Sequence, residues 1–109
     1  QINLLVGFNE WATLGVGMAI KELGLKDRVC AIGFDNNTEC VGMLETGELD
    51  TLIVQTPFSM VYIAFINAAN ILAGKNPESV IKTDVYVVDR SNMFSADVQK
   101  ILFGFDIYD

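Results

Sequence analysis

The hydrophobic pattern of this chain repeats one event three times: an apolar run ends abruptly in a polar residue, and a helical pattern follows. Residues 2–8, 29–34 and 51–54 are apolar without alternation, which is typical of strands buried in a parallel sheet. After the first two runs, apolar residues recur with a helical period over residues 10–23 and 38–46, and after the third run residues 58–73 are apolar nearly all round. Such alternation predicts an α/β fold with a mainly parallel sheet.

The end of the chain has a different pattern. Residues 83–89 alternate and predict a fourth strand, and residues 90–92 predict a polar turn. Ser95 is expected to cap a last short helix that runs through Leu102. Residues 103–108 are unusually apolar for a terminus, so we expect them to dock on another surface, such as a second copy of the chain.

The predicted helices differ in how they are expected to be buried. The inward residues of the first two helices are expected to be Trp11, Leu14, Met18, Ala19, Ile20 and Leu23, and Val41, Met43 and Leu44. The third helix is apolar nearly all round, so a largely buried helix is expected. It is too polar to span a membrane because of Ser59, Asn67 and Asn70, and too short because Pro57 precedes it and Gly74-Lys75-Asn76-Pro77 ends it. Gly15 and Gly17 are expected to permit close packing of the first helix on the sheet.

A polar residue follows each of the first three predicted strands. These residues are Asn9, Asp35 and Gln55. The carboxyl ends of neighbouring parallel strands lie at one edge of the sheet, where ligands bind in open α/β folds. The three side chains are therefore predicted to face one crevice and to form a hydrogen-bonding site.

Each of the three residues also fits a purely structural role. Asn9 is suited to the N-cap of the first helix, and Asp35 is suited to fixing its turn through backbone N–H groups. Gln55 also fits a solvated loop position. Their coincidence at one predicted edge favours binding.

Composition limits the chemistry of such a site. The 109 residues, 51% of them apolar, are enough for one small domain with its own core. A net charge of −7 argues against a broad affinity for nucleic acid or for anionic membranes. Histidine is absent, and neither a G-x-S-x-G elbow nor a phosphate loop occurs. We therefore expect no enzyme, no catalytic residue, no metal and no cofactor.

The two cysteines, Cys30 and Cys40, lack the spacing of a metal or redox motif. They are expected to be buried thiols that pack as small hydrophobic groups. The sequence leaves open whether they form a disulfide.

The chain resembles the type I periplasmic binding proteins, in particular the ribose-type sugar-binding components of bacterial ABC importers. The resemblance covers nearly the whole chain, in the order and spacing of the family. Its motifs are Gly7-Phe8-Asn9-Glu10 with Leu14-Gly15, Ile32-Gly33-Phe34-Asp35, Glu45-Thr46-Gly47-Glu48-Leu49, Ile53-Val54-Gln55-Thr56-Pro57-Phe58, and Gly74-Lys75-Asn76-Pro77 before Tyr86-Val87-Val88 and Asn92. Glu10 departs from the commoner aspartate, and Asn36-Asn37 stand where small residues are frequent.

The resemblance implies a three-layer αβα, Rossmann-like lobe, the C-terminal one of a two-lobed protein. Residues 1–109 are then a single lobe and a piece of a longer chain, with the N-terminal lobe missing. It also implies that Asn9, Asp35 and Gln55 hydrogen-bond the hydroxyls of a sugar or polyol. Phe58 and Trp11 are candidates to cover its apolar CH face, although both also fit ordinary packing positions.

Two functions are compatible with this resemblance. The first is a periplasmic or lipid-anchored solute receptor that closes on a sugar and docks on an ABC permease. The alternative is the effector-binding domain of a lactose-repressor-type regulator, which shares the fold and acts in the cytoplasm through a DNA-binding domain outside this segment. The Gln55-Thr56-Pro57-Phe58 motif favours the receptor.

Overall fold

Strands and helices alternate along the chain in the computed structural model, which describes residues 2–104. The elements are β1 (Leu4–Val6), α1 (Glu10–Glu22), β2 (Cys30–Phe34), α2 (Thr38–Thr46), β3 (Thr51–Gln55), α3 (Pro57–Leu72), β4 (Val85–Asp89) and α4 (Ala96–Phe103). The sheet has the order β1-β2-β3-β4, and the β1–β2 and β2–β3 pairs are parallel. The predicted α/β class with a mainly parallel sheet is confirmed.

The chain divides into two compact units. The first unit comprises Gln1–Val54 and Tyr86–Asp109, and it holds β1, β2, α1, α2, α4 and all but one residue each of β3 and β4. The second unit is Gln55–Val85, and it consists of α3 and the segment that follows.

The core of the first unit lies on one face of its strands. Alternate residues of β2 and β3 are buried, because successive side chains of a strand point to opposite faces. Helices α1 and α2 pack on this face and on each other. The apolar core consists of Ile20, Val29, Ala31, Cys40, Val41, Leu44, Leu49, Leu52, Val54, Val88, Met93 and Leu102.

The first strand is shorter and more exposed than predicted. A buried strand was expected over residues 2–8, but β1 comprises only Leu4–Val6, and Leu4 is exposed. The physical reason is its place at the edge of the sheet, where it pairs with β2 alone. Phe8 therefore lies beyond the strand, and its side chain is 78% exposed.

Helix α1 turns a different face to the core than its apolar pattern predicts. The buried residues are Thr13, Gly17 and Ile20, whereas Trp11 and Met18 of the predicted stripe are exposed, as is Leu23 just beyond the helix. Small side chains on the buried face allow close packing: a Cβ added to Gly17 would lie 2.3 Å from the sulfur of Met43.

Gly17 does permit close packing, but against Met43 of α2 and Leu49 rather than against the sheet as predicted. The prediction is wrong at Gly15, where an added Cβ would meet no heavy atom of the described chain within 4 Å. In α2, the expected burial of Val41 and Leu44 is confirmed. The third buried residue of that helix is Cys40, and Met43 is only partly buried.

Helix α3 in the second unit is not the largely buried helix that was expected. None of its residues is buried, and Phe65 and Leu72 are 73% and 90% exposed. The segment that follows α3 in the second unit lies along one face of the helix. A cavity of about 470 Å³ between them is lined by Met60, Ile63, Ala64, Asn67, Ile71, Pro77, Glu78, Ser79, Ile81 and Thr83. Within this unit, the short segment after α3 covers only one side of a helix that is apolar nearly all round.

Among residues 2–104, no helix is both long and apolar enough to cross a membrane.

Helix α4 begins after Ser95 and ends at Gly104, whose φ of +62° is left-handed. Ser95 occupies the predicted N-cap position, but its side chain makes no capping hydrogen bond. Of the apolar ending predicted to dock on a partner, residues 105–108 lie outside the described part of the chain.

Candidate functional site

The carboxyl ends of β1 and β2 form one edge of the sheet in the first unit. The two strands are neighbours in parallel register, with Val6 opposite Ile32, and the Gly7 N–H donates to the Ile32 carbonyl at 2.9 Å. Asn9 follows β1 after a short turn, and Asp35 follows β2 directly. The structure thus brings two of the three predicted binding residues to adjacent strand ends.

Asn9 is the N-cap of α1. Its Oδ1 accepts a hydrogen bond from the Ala12 N–H at 2.8 Å, which confirms the capping role that the sequence left open. This bond uses only the oxygen of the amide. The exposed side chain also carries an NH₂ group with two donors, so capping and ligand binding are compatible at this position.

Asp35 has a backbone conformation that is unusual for a residue with a side chain. Its φ is +71°, and Asp27 is the other non-glycine residue with positive φ in the described chain. Its N–H is held by the Ile53 carbonyl at 2.9 Å. A left-handed residue costs on the order of 1–2 kcal/mol, and such strain concentrates at functional sites. The Asp35 carboxylate therefore sits at a strained turn where the strand ends.

Thr13 holds the two strand ends together, and sequence reasoning missed it. Its fully buried hydroxyl accepts from the Phe34 N–H at 2.8 Å and lies 3.3 Å and 3.2 Å from the Gly7 and Phe34 carbonyl oxygens. A hydroxyl has one proton, so it donates to one of these carbonyls at a time. A Cβ on Gly33 would lie 2.1 Å from the Thr13 methyl, so this close approach requires glycine in β2.

A second hydrogen-bond network joins the starts of α1 and α2. Asn37 caps α2 by accepting from the Cys40 N–H at 2.7 Å, and its Nδ2 donates to Glu10 at 3.0 Å.

Burial, followed by the charges of Glu10, Glu39 and Asp35, raises the pKa of the Cys40 thiol to about 11. The Cys40 thiol is therefore neutral near pH 7.

The prediction of two buried thiols is right for Cys40 and wrong for Cys30. Cys30 is exposed because it begins β2 on the face opposite the core, and both cysteines are free. The residue is exposed, but partial desolvation of its sulfur, then the charge and hydrogen bonding of Asp50, raise the pKa of Cys30. Neither thiol is activated as a nucleophile.

Two exposed aromatic residues lie beside Asn9 at this edge, the predicted Trp11 and Phe8, which was not predicted. Trp11, in the first turn of α1, is 76% exposed, so it does not pack in the core of the described chain. The exposed Phe8 ring lies 6.0 Å from the ring of Phe34, centroid to centroid. Phe8 was missed because it was assigned to a buried strand; its place directly before Asn9 was the available signal.

Gln55 and Phe58 belong to the second unit. Gln55 is the last residue of β3, and Pro57 opens α3, as expected of a first-turn proline. Phe58 is exposed and stacks on Tyr62, with centroids 6.3 Å apart and planes 11° apart. Across residues 2–104, no cluster of three or more carboxylate or thiol side chains could hold a metal ion.

Comparisons with known proteins are consistent with this architecture. The sequence model of the periplasmic binding protein domain matches residues 1–76. No curated protein sequence matches the chain.

Three solved structures illustrate the likeness. The first is a carbohydrate transporter solute-binding protein from Agrobacterium radiobacter in complex with D-arabinose; it is 31% identical, has a TM-score of 0.83, and the match covers 93% of this chain and 34% of that structure. The second is an ABC transporter solute-binding protein from Agrobacterium vitis with bound D-fucose (29% identical, TM-score 0.81, 93% and 35% covered). The third is a glucose-galactose binding protein from Geobacillus stearothermophilus (27% identical, TM-score 0.80, 85% and 33% covered). The chain thus spans about a third of the length of these structures.

Proposed function

The chain belongs to the periplasmic binding protein family, and from this premise we propose that it binds a sugar or polyol at the edge formed by Asn9 and Asp35. The observation that carries the proposal is the left-handed conformation of Asp35 at the carboxyl end of β2. This is the position where open α/β sheets bind ligands, and the strain is retained at a carboxylate.

The chemistry of this edge suits a polyhydroxylated molecule. The Asp35 carboxylate accepts two hydroxyl hydrogens in charge-assisted bonds, and the Asn9 amide donates to a further hydroxyl oxygen. Phe8, exposed beside Asn9, offers an apolar surface to the CH face of a sugar ring. On this edge, Phe8 is a candidate for that role together with Trp11.

Gln55 and Phe58 are proposed as ligand contacts on separate grounds. Their support is the Gln55-Thr56-Pro57-Phe58 motif and its resemblance to the sugar-binding family. Phe58 is exposed, so its ring is accessible to a ligand.

At the level of the whole protein, we propose one lobe of a two-lobed receptor for an ABC importer. The related Agrobacterium proteins are transporter solute-binding proteins, and the chain spans about a third of their length. The receptor would work without catalysis, in the periplasm or anchored outside the cytoplasmic membrane, and would deliver its sugar to a permease.

A thermal-shift screen of the intact protein tests this function. The panel contains D-arabinose, D-fucose, D-glucose and D-galactose, which the related proteins bind, together with other pentoses, inositols and nucleosides. A ligand that binds only the folded state raises the melting temperature with its concentration. At least one sugar or polyol should do so; a folded protein that responds to none of them would contradict the proposal.

A further inference from the structure

Residue 36 connects the proposed binding edge to the last helix of the first unit. The side-chain Nδ2 of Asn36 donates to the Leu102 carbonyl at 2.7 Å and lies 3.4 Å from the Ile101 carbonyl. Asn36 directly follows Asp35 and precedes Asn37, the N-cap of α2. Of these three consecutive residues, Asp35 lies at the proposed binding edge, Asn36 bonds the end of α4, and Asn37 caps the start of α2.

The contact with α4 satisfies groups that a helix cannot satisfy itself. The last four carbonyls of a helix lack intrahelical partners. In α4, the Gly104 N–H donates to the Lys100 carbonyl at 2.8 Å, and Asn36 serves the next two carbonyls along the chain. The Leu102 side chain is buried in the core, so this end of the helix is held both by its side-chain packing and by the hydrogen bonds from Asn36. The chain leaves α4 at Gly104, directly after these bonds.

We propose that Asn36 is a positioning residue that couples ligand binding at Asp35 to the last turn of α4. The ligand part of this inference rests on the proposed function. A ligand that holds the Asp35 carboxylate also restricts the backbone of Asn36, which keeps its amide on the α4 carbonyls. By linkage, a firmly held α4 favours the binding conformation of Asp35 to the same degree.

Amide hydrogen exchange in the intact, ligand-free protein tests the coupling itself. Asn36→Asp preserves the shape of the side chain and removes its donors, and Asn36→Ala removes them without adding charge. Either variant should speed exchange at the Asp35 and Gly104 amides together, by roughly 2- to 10-fold, as expected for the loss of one hydrogen bond. Asn76→Asp and Asn76→Ala, the same changes at an exposed position, should leave both amides unchanged. Faster exchange at only one of the two amides, or at neither, would overturn the proposal.

The same measurement with a sugar tests the link to binding. The probes are D-arabinose, D-fucose and any sugar that the thermal screen identifies. Binding should slow exchange at the Gly104 amide of the wild type but not of Asn36→Ala, whose affinity should fall by roughly 2- to 10-fold. A sugar that binds both proteins equally, or leaves Gly104 unchanged, would overturn the inference and leave the proposed function standing. If no sugar bound the wild type, the proposed function and the ligand coupling would both fail, and the ligand-free experiment would still decide whether Asn36 joins the loop to α4.

Discussion

A single buried hydroxyl organises the proposed binding edge at the scale of residues. Thr13 is fully buried, and its hydroxyl bonds the backbone at the ends of both neighbouring strands, at Gly7 after β1 and at Phe34 in β2. Its bonds fix the strand ends from which Asn9 and Asp35 emerge. The edge therefore depends on a residue that we do not propose to touch the ligand.

Thr13→Val tests this dependence. Valine preserves the shape and removes the hydroxyl, which leaves the Phe34 N–H without that partner. We expect the free energy of unfolding to fall by about 1–3 kcal/mol, measured by urea denaturation. Thr38→Val, the same change at an exposed position in the first turn of α2, should change it by less than about 0.5 kcal/mol. Equal effects of the two substitutions would contradict the role of Thr13.

Two glycine-to-alanine substitutions should act in opposite directions. At Gly33 the new methyl would overlap Thr13 and approach Leu52, so we expect a loss of about 1–3 kcal/mol of stability. At Gly42, inside α2, an added Cβ would meet no heavy atom of residues 2–104 within 4 Å beyond its chain neighbours and the backbone of its own helix, so alanine should stabilise the helix by up to about 1 kcal/mol. Urea midpoints of both variants provide the measurement. A neutral Gly33→Ala would show that α1 does not pack this closely.

At the scale of elements, the start of α2 gathers carboxylates around a buried thiol. Burial raises the pKa of Cys40 most, and the charges of Glu10 from α1, Glu39 from α2 and Asp35 from the end of β2 raise it further. Folding thus favours the protonated thiol. The Cys40 thiol lies near residues of α1, α2 and the end of β2, so its pKa depends on how these elements pack.

The pH dependence of stability should show this effect. The pKa of Cys40 is raised from 9.0 to about 11 in the folded protein. The contribution of this shift to the free energy of unfolding is therefore fully present below about pH 9. It is lost as the pH rises towards 11, because the thiol ionises first in the unfolded chain. Between about pH 8 and pH 10.5, urea stability of the wild type should fall more than that of Cys40→Ala. Parallel decreases in the two proteins would contradict a buried, protonated thiol.

The order of elements could be predicted from sequence because it depends on local periodicity and on polar residues at strand ends. The face of α1 that packs on the core could not be predicted, because a threonine in a helix normally indicates solvent exposure. The burial of Thr13 depends on the close approach of Gly7 in the turn after β1 and of Gly33 in β2. The exposure of α3 was missed for a related reason: apolar residues indicate a tendency to be buried but do not identify the surface that buries them. The same limit applies to Phe8, whose position depends on where β1 stops pairing.

At the scale of the whole molecule, binding should depend on more than this chain. A sugar held at one edge leaves its other side in water, whereas closure of a second lobe would exclude water and add contacts. We expect the 109-residue chain alone to show little or no sugar affinity, and the intact protein to show a large gain, both measured by titration calorimetry. Equally tight binding by the chain alone would contradict a two-lobed site.

The most direct measurement of the central claim is the sugar affinity of the intact protein carrying Asp35→Asn or Asp27→Asn. Both substitutions remove one negative charge at a left-handed backbone position, but Asp27 precedes β2 whereas Asp35 follows it. We predict that Asp35→Asn weakens binding by roughly 10- to 100-fold, as expected for a charge-assisted hydrogen bond, and that Asp27→Asn leaves it unchanged. Unchanged affinity in Asp35→Asn, or equal losses in both variants, would contradict the assignment of the binding site to this edge.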